Sequence, residues 1–205
     1  KRQGSWRTLQ YEKKKGNLYP THGLGPVSQY MNLLRTEDTF KSLISFSSPA
    51  LGREKFAREN FNENHKWNKL NYQNGDINTT VIKTYLGRTI MVQWDETSPR
   101  PYTRLNLIQG TKGILAGGPT RAAFDNGFEG YTKDAEEWIT GEGIDALYEK
   151  YDHPMYKRLN KITQDSGHGG MDGMMVYRII ECLRKGEPLD QNVYEGCAWL
   201  SLIHI

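Results

Sequence analysis

The sequence predicts an α+β fold, with an open, largely antiparallel β-sheet and helices packed on one face. Residues 77–116 hold the densest β-branched runs, each pair parted by a glycine-bearing turn. Residues 131–185 switch to helical spacing. Strand-rich and helix-rich stretches are therefore segregated along the chain.

Residues 6–15 (WRTLQYEKKK) read as helical or irregular and end at Gly16-Asn17. Val27, Tyr30, Met31 and Leu34 recur at helical spacing, so a helix is predicted from near Gly25, with Pro26 at its first position. FKSLISFSS (40–48) alternates as a strand does, and GREKFAREN (52–60) is a short polar helix. Residues 61–76 read as loop, with Asn74-Gly75 as a turn signal. NTTVIKTYL and RTIMVQWD, parted by Gly87, read as a hairpin, and RLNLIQ and GILAG form a second pair around residues 110–113. Together they predict one antiparallel sheet of at least four strands. Helical segments fall within 131–161, and GMDGMMVYRIIECLRK (170–185) is a helix that Gly186 and Pro188 end. Its Met171, Met175, Ile179 and Cys182 or Leu183 make an apolar face that reads as core packing.

The 205 residues suit one domain of ordinary size or slightly more. A net charge of +3 is too small to argue for nucleic acid, and Lys13-Lys14-Lys15 reads as a solvated helix end. No apolar run approaches the ~18 residues that a membrane span needs. Cys182 falls in an amphipathic pattern, as a buried free thiol would. With Cys197 it makes no CxxC motif, so the cysteines leave the compartment undecided. The chain starts at Lys1 and stops in the apolar AWLSLIHI, which reads as a fragment of a longer protein. Residues 1–199 are expected to be one domain, and 200–205 a tail that need not be native.

The search for chemistry is mostly negative. GLGPVS (23–28) begins as G-x-G but has Ser28 where a third glycine is wanted, and GHGGMDG (167–173) has the wrong spacing. Both read as glycine-rich helix starts. His22, His65, His153, His168 and His204 show no HxxxH or HExxH spacing, so no metal site is predicted. There is no GxSxG, and Asp95, Glu96, Asp125, Glu129, Glu136 and Glu137 are too scattered to yield a two-carboxylate pair. What remains is NLYPTHGLGP (17–26), where Pro20 stiffens the backbone between Tyr19 and His22. TSPRPYTR (97–104) sets Arg100, Tyr102 and Arg104 beside two prolines. Each stretch is either turn structure or a stiff surface for a ligand. Aromatic rings and basic donors on rigid loops suit a sugar.

WR at 6–7, GNLYPTHGLGPV at 16–27, SFSSPALG at 45–52, GDINTTVIKT at 75–84, TSPRPYTRLNLIQGTKG at 97–113 and HGGMDGMMVYRIIECLRKGEPLDQNVYEG at 168–196 resemble glycoside hydrolase family 109. That family is a branch of the Gfo/Idh/MocA oxidoreductase-like proteins, and the resemblance runs in order over nearly the whole chain. It implies that residues 1–199 are the substrate-binding, C-terminal half of a two-domain enzyme. Its NAD would be held mainly by a Rossmann domain upstream of Lys1, where the cofactor contacts would lie. The implied reaction hydrolyses terminal α-linked N-acetylgalactosamine by oxidation at C3, elimination, addition of water and reduction. Carried over residue by residue, the family's Tyr-x-x-His falls on Tyr19 and His22, with Pro20 and Thr21 between them. Its substrate-contacting arginine falls on Arg7 and its Pro-Tyr tyrosine on Tyr102. His22 would shuttle a proton, Tyr19 and Tyr102 would orient the sugar and share proton transfer, and Arg7 would donate to the N-acetyl group or a hydroxyl. His168 and Asp172 are further cleft candidates. Trp94 stands where many members carry histidine, and LSLIHI departs from the family's continuation.

Two alternatives stay open: a sugar oxidoreductase of the same superfamily, and a carbohydrate-binding protein without catalysis. The resemblance also implies a carbohydrate or glycoconjugate partner and a homo-oligomer formed through the sheet. Relatives are bacterial and often carry an upstream twin-arginine export signal, and these residues leave the location open.

Overall fold

The computed structural model describes residues 7–35 and 38–201. In chain order the elements are α1 (Thr8–Lys13), α2 (Thr21–Tyr30), β1 (Phe40–Ser47), α3 (Leu51–Asn60), a 3-10 turn (Lys66–Lys69), β2 (Ile77–Thr84) and β3 (Thr89–Asp95). Then follow β4 (Leu107–Gly110), β5 (Gly113–Ala116), β6 (Arg121–Phe124), α4 (Glu142–Tyr151), α5 (Pro154–Thr163), α6 (Met171–Lys185) and α7 (Val193–Leu200). The chain divides into two units, residues 1–100 with 191–205, and residues 101–190. Of the tail 200–205, residues 202–205 lie outside the described residues, and Leu200 closes α7.

The fold is α+β with open antiparallel sheets, as expected. The strands, however, form two three-stranded sheets, β1-β2-β3 and β4-β5-β6, and not one sheet of four or more. The link between β3 and β4 carries Pro99 and Pro101, which cannot donate to a ladder. Strand β6, which the sequence reading passed over, completes the second sheet.

In the first unit, Thr80, Ile82 and Thr84 of β2 alternate inward, as do Ile90 and Val92 of β3. Ile82, Ile90 and Val92 pack with Leu24 of α2, Leu33 and Trp199 of α7. The other face carries the cross-strand row Ile44–Val81–Met91 and stays exposed. Helix α7 begins well before AWLSLIHI, at a capping box in which Asn192 and Glu195 satisfy each other's main-chain N–H groups. The buried Glu195 carboxylate also accepts from Arg35 at 2.6 and 2.8 Å. Trp199 donates from Nε1 to Ser28 Oγ at 2.9 Å, which locks α7 to α2.

Helix α2 begins at Thr21, not near Gly25. Pro20 supplies a preset φ of −76° at the N-cap, and Pro26 lies inside the helix. Pro26 removes only the amide that would have bonded the carbonyl of His22. Gly23 and Gly25 lie inside the helix, which approaches its neighbours closely at the first and at ordinary contact distance at the second. A β-carbon on Gly23 would come 3.3 Å from Val92, and one on Gly25 would come 3.6 Å from Trp199.

In the second unit, Ala122, Ile139 and Ile144 form a small core. Helix α6 forms over the predicted residues, with Gly186 at φ 68° as its C-cap. Its orientation corrects the sequence reading. Cys182 is buried, but Met171, Met175, Ile179 and Leu183 are exposed. The helix is rolled so that the Met174–Arg178–Cys182 side faces inward. Helical periodicity shows that a stripe exists, without saying what covers it.

Candidate functional site

The YPTH stretch forms a ledge. Pro20 is fully buried, Thr21 is half-buried at the first turn of α2, and Tyr19 and His22 point to the surface on either side. The Tyr19 ring stacks on the His22 imidazole, with centroids 4.6 Å apart and planes 26° apart. The guanidinium of Arg7 lies 5.2 Å from the Tyr19 ring centroid. Arg7, Tyr19 and His22 are thus brought together as a cation, a phenol and an imidazole, the two rings exposed and the arginine half-buried. Such a patch offers directional donors and a flat apolar face for a polyhydroxylated ring.

Behind the ledge lies a buried polar frame. Asn17 accepts the Tyr19 N–H at 2.8 Å through Oδ1, and the buried Asn74 donates to the Gly16 carbonyl at 2.8 Å. Arg53 in turn donates to the carbonyls of Asn74 (3.1 Å) and Gly75 (3.3 Å) and to Glu96 (3.0 Å). Its guanidinium lies over the Tyr11 ring at 4.0 Å, and Tyr11 donates to Glu96 at 3.0 Å. Burial, then the hydrogen bond to Glu96, push the Tyr11 phenol up to about 12. Tyr11 is therefore a donor in a frame, not a base at neutral pH.

Sequence reasoning missed this frame. Tyr11, Arg53 and Glu96 lie 43 and 85 positions apart in their hydrogen-bonded pairs, so no local spacing announces them. Asn74-Gly75 is also not the turn it resembles. A β-carbon at Gly75 would sit 1.9 Å from the Ser48 carbonyl oxygen, so the glycine serves close backbone approach. Asp76 accepts the Gly52 N–H at 2.9 Å and the Thr97 hydroxyl at 2.7 Å, which ties α3 to the end of β3. Trp94 is half-buried beside the same frame, 6.1 Å from Tyr11 and 5.7 Å from the Arg53 guanidinium.

The remaining candidates lie in the second unit or at its edge. Tyr102 is 85% exposed, and its hydroxyl oxygen accepts from Arg104 Nε at 3.1 Å. Arg100, the last residue of the first unit, pairs with Asp95 at 3.0 Å. His168 Nδ1 lies 3.0 and 3.1 Å from the two carboxylate oxygens of Asp172. It stands at φ 54°, followed by Gly169 and Gly170 at 66° and 96°. A non-glycine residue held in the left-handed region is a strained placement of the kind that clusters at functional sites. The Asp172 contact fixes the ring and leaves Nε2 for other partners.

Neither glycine-rich stretch makes a dinucleotide cradle. Gly23 and Gly25 lie inside α2, Gly167–Gly170 follows α5, and no strand leads into either. Neither stretch fits the strand-to-helix turn that holds a dinucleotide pyrophosphate.

The chain matches the family model described as the glycosyl hydrolase 109 C-terminal domain over residues 1–205. It is 60% identical over 201 residues to glycosyl hydrolase family 109 protein 1 of Akkermansia muciniphila, covering 97% of this chain and 41% of that protein. It is 57% identical to family 109 protein 2 of the same organism, covering 98% of this chain and 42% of that protein. With the family 109 protein of Shewanella baltica it shares 55% identity over 203 residues, or 98% and 43% of the two chains. The chain thus spans about two-fifths of the length of the curated relatives it matches. The match over the whole length and the identity to these relatives place this chain in glycosyl hydrolase family 109, as the C-terminal domain.

Proposed function

We propose that the protein to which this domain belongs is a glycosidase that removes terminal α-linked N-acetylgalactosamine and uses NAD. The observation that carries the sugar-binding part is the Arg7–Tyr19–His22 patch, held on a buried frame and open to a ligand. The dinucleotide would be bound by the part of the longer protein outside this chain. When bound, NAD supplies reversible hydride acceptance at a sugar ring carbon. In this domain, Arg7 donates to the N-acetyl carbonyl or a hydroxyl, and Tyr19 packs on the ring and orients it. In the second unit, the highly exposed Tyr102 is a separate candidate for sugar contact. His22, which adjoins Tyr19, is the imidazole available for proton transfer at this patch, while in the second unit His168 contacts Asp172. General acid–base groups of this kind contribute about 10²–10⁴ in rate.

The test uses the full-length protein and p-nitrophenyl α-N-acetylgalactosaminide in heavy water. Release of nitrophenol with deuterium at C2 is the expected result. Release without deuterium refutes the elimination route, and no release refutes the glycosidase reading. A net change in NADH absorbance with turnover would instead establish the sugar oxidoreductase. His22→Ala is expected to lower turnover at least about a hundredfold. A His22→Ala protein within a few-fold of wild type removes His22 from the proton-transfer role.

A further inference from the structure

Between α3 and the loop after it, the first unit contains a cavity of about 390 Å³. That lies within the usual small-ligand range of about 300–1,000 Å³. Phe61, Trp67 and Tyr72 supply aromatic walls, and Arg58, Glu63 and Asn68 supply polar groups. The wall is built in advance. Asn68 donates from Nδ2 to the carbonyls of Phe61 (3.2 Å) and Asn62 (2.9 Å), and Tyr72 donates to the Trp67 carbonyl at 3.1 Å. The His65 ring stacks on Phe61 at 4.2 Å, while its Nδ1 accepts the Trp67 N–H at 3.2 Å. Burial keeps the Tyr72 phenol above its ordinary value, so it remains a donor. Both amide hydrogens of Asn68 are engaged in this way, which fixes its side chain in the wall.

We propose that this cavity is a second carbohydrate site, taking one neutral pyranose of a glycan at a place separate from the Arg7–Tyr19–His22 ledge. The lining chooses the chemistry. Carboxylates at Glu54 and Glu63 disfavour an anionic ligand, and the Arg58 guanidinium disfavours a cationic one. A neutral polyhydroxylated ring fits both constraints. Its C–H face packs on the rings, and its hydroxyls or acetamido N–H meet the carboxylates. A prebuilt wall lowers the ordering cost of binding, which suits the weak, additive recognition of a long glycan. Only the choice of sugar rests on the glycosidase reading.

The experiment follows the Trp67 indole N–H resonance in the full-length protein, assigned by its loss in Trp67→Phe. The protein is titrated with a trisaccharide ending in α-linked N-acetylgalactosamine. The proposal expects a saturable shift that persists in His22→Ala and weakens at least about fivefold in Arg58→Ala, as loss of one directional hydrogen bond would do. It is overturned if the resonance does not move, or if the shift disappears with His22→Ala alone. An equal shift from choline chloride or inorganic sulfate overturns the assignment to a neutral sugar. Nitrophenol release by the wild type is scored separately. A Trp67 shift without release keeps this site while the glycosidase reading falls. Release without a Trp67 shift does the reverse.

Discussion

Replacing Arg53 tests whether the frame behind the ledge is as important as its geometry implies. The guanidinium is 9% exposed and makes charge-assisted hydrogen bonds to two main-chain carbonyls, those of Asn74 and Gly75, besides its pair with Glu96. A hydrogen bond involving a charged group contributes about 1.5–3 kcal/mol, and an acceptor left dry after its donor is removed costs about 1–3 kcal/mol. The Glu96 side chain is 41% exposed, so water replaces much of what that pair loses. Arg53→Ala should therefore destabilise the first unit by about 3 kcal/mol, chiefly through the two carbonyls and the space left over Tyr11. Arg53→Lys keeps the charge but not the planar fork, so it should recover less than half of that. Urea titration followed by tryptophan fluorescence measures both, since Trp94 lies 5.7 Å from the guanidinium. A lysine variant as stable as wild type, or an alanine variant within about 1 kcal/mol of it, would falsify the argument that the fork holds the frame.

Tyr11 has its folded-state pKa raised from 10.0 to about 12, so its neutral form is favoured by folding. That contribution is fully present below pH 10.0 and is lost as pH rises toward about 12, and Tyr11→Phe should flatten the stability profile in that window. The exposed Ile44–Val81–Met91 row is the surface on which a homo-oligomer through the sheet would form. Met91→Lys should then convert the oligomer to monomer by light scattering, and an unchanged mass rules that face out. The exposed stripe Met171, Met175, Ile179 and Leu183 is large enough to demand cover. Amides in α6 should exchange more slowly in the full-length protein than in residues 1–205 alone, and equal rates would leave the stripe uncovered.

What the sequence revealed and what it hid follow one physical division. Local signals read correctly. The β2–β3 hairpin formed around Gly87, the β4–β5 pair met across Thr111-Lys112, and α6 stopped at Gly186, because each depends on residues within a few positions of one another. The ledge was legible for the same reason, since Tyr19, Pro20 and His22 are near neighbours in the chain. What failed depended on partners far away. Whether the α6 stripe was core, and whether the strands made one sheet or two, turned on packing that no window of residues contains.

The glycine-rich stretches make that division concrete. GLGP and GHGG look alike in composition, and both were read as glycine-rich helix starts. In the first, the glycines are helix interior, and only Gly23 is closely approached, with Val92 3.3 Å from where a β-carbon would stand. In the second, three consecutive residues from His168 to Gly170 took positive φ values, and a histidine was drawn into that conformation with them. Glycine permits both outcomes at low steric cost, so its presence alone cannot choose. A tertiary neighbour stands beside the helix in one case, and a carboxylate four residues on, Asp172, contacts the histidine in the other. The pair at 168 and 172 was legible as a spacing from the start, but only the left-handed turn gives it a reason. With the backbone reversed there, the imidazole meets a carboxylate on the first turn of the helix that follows it.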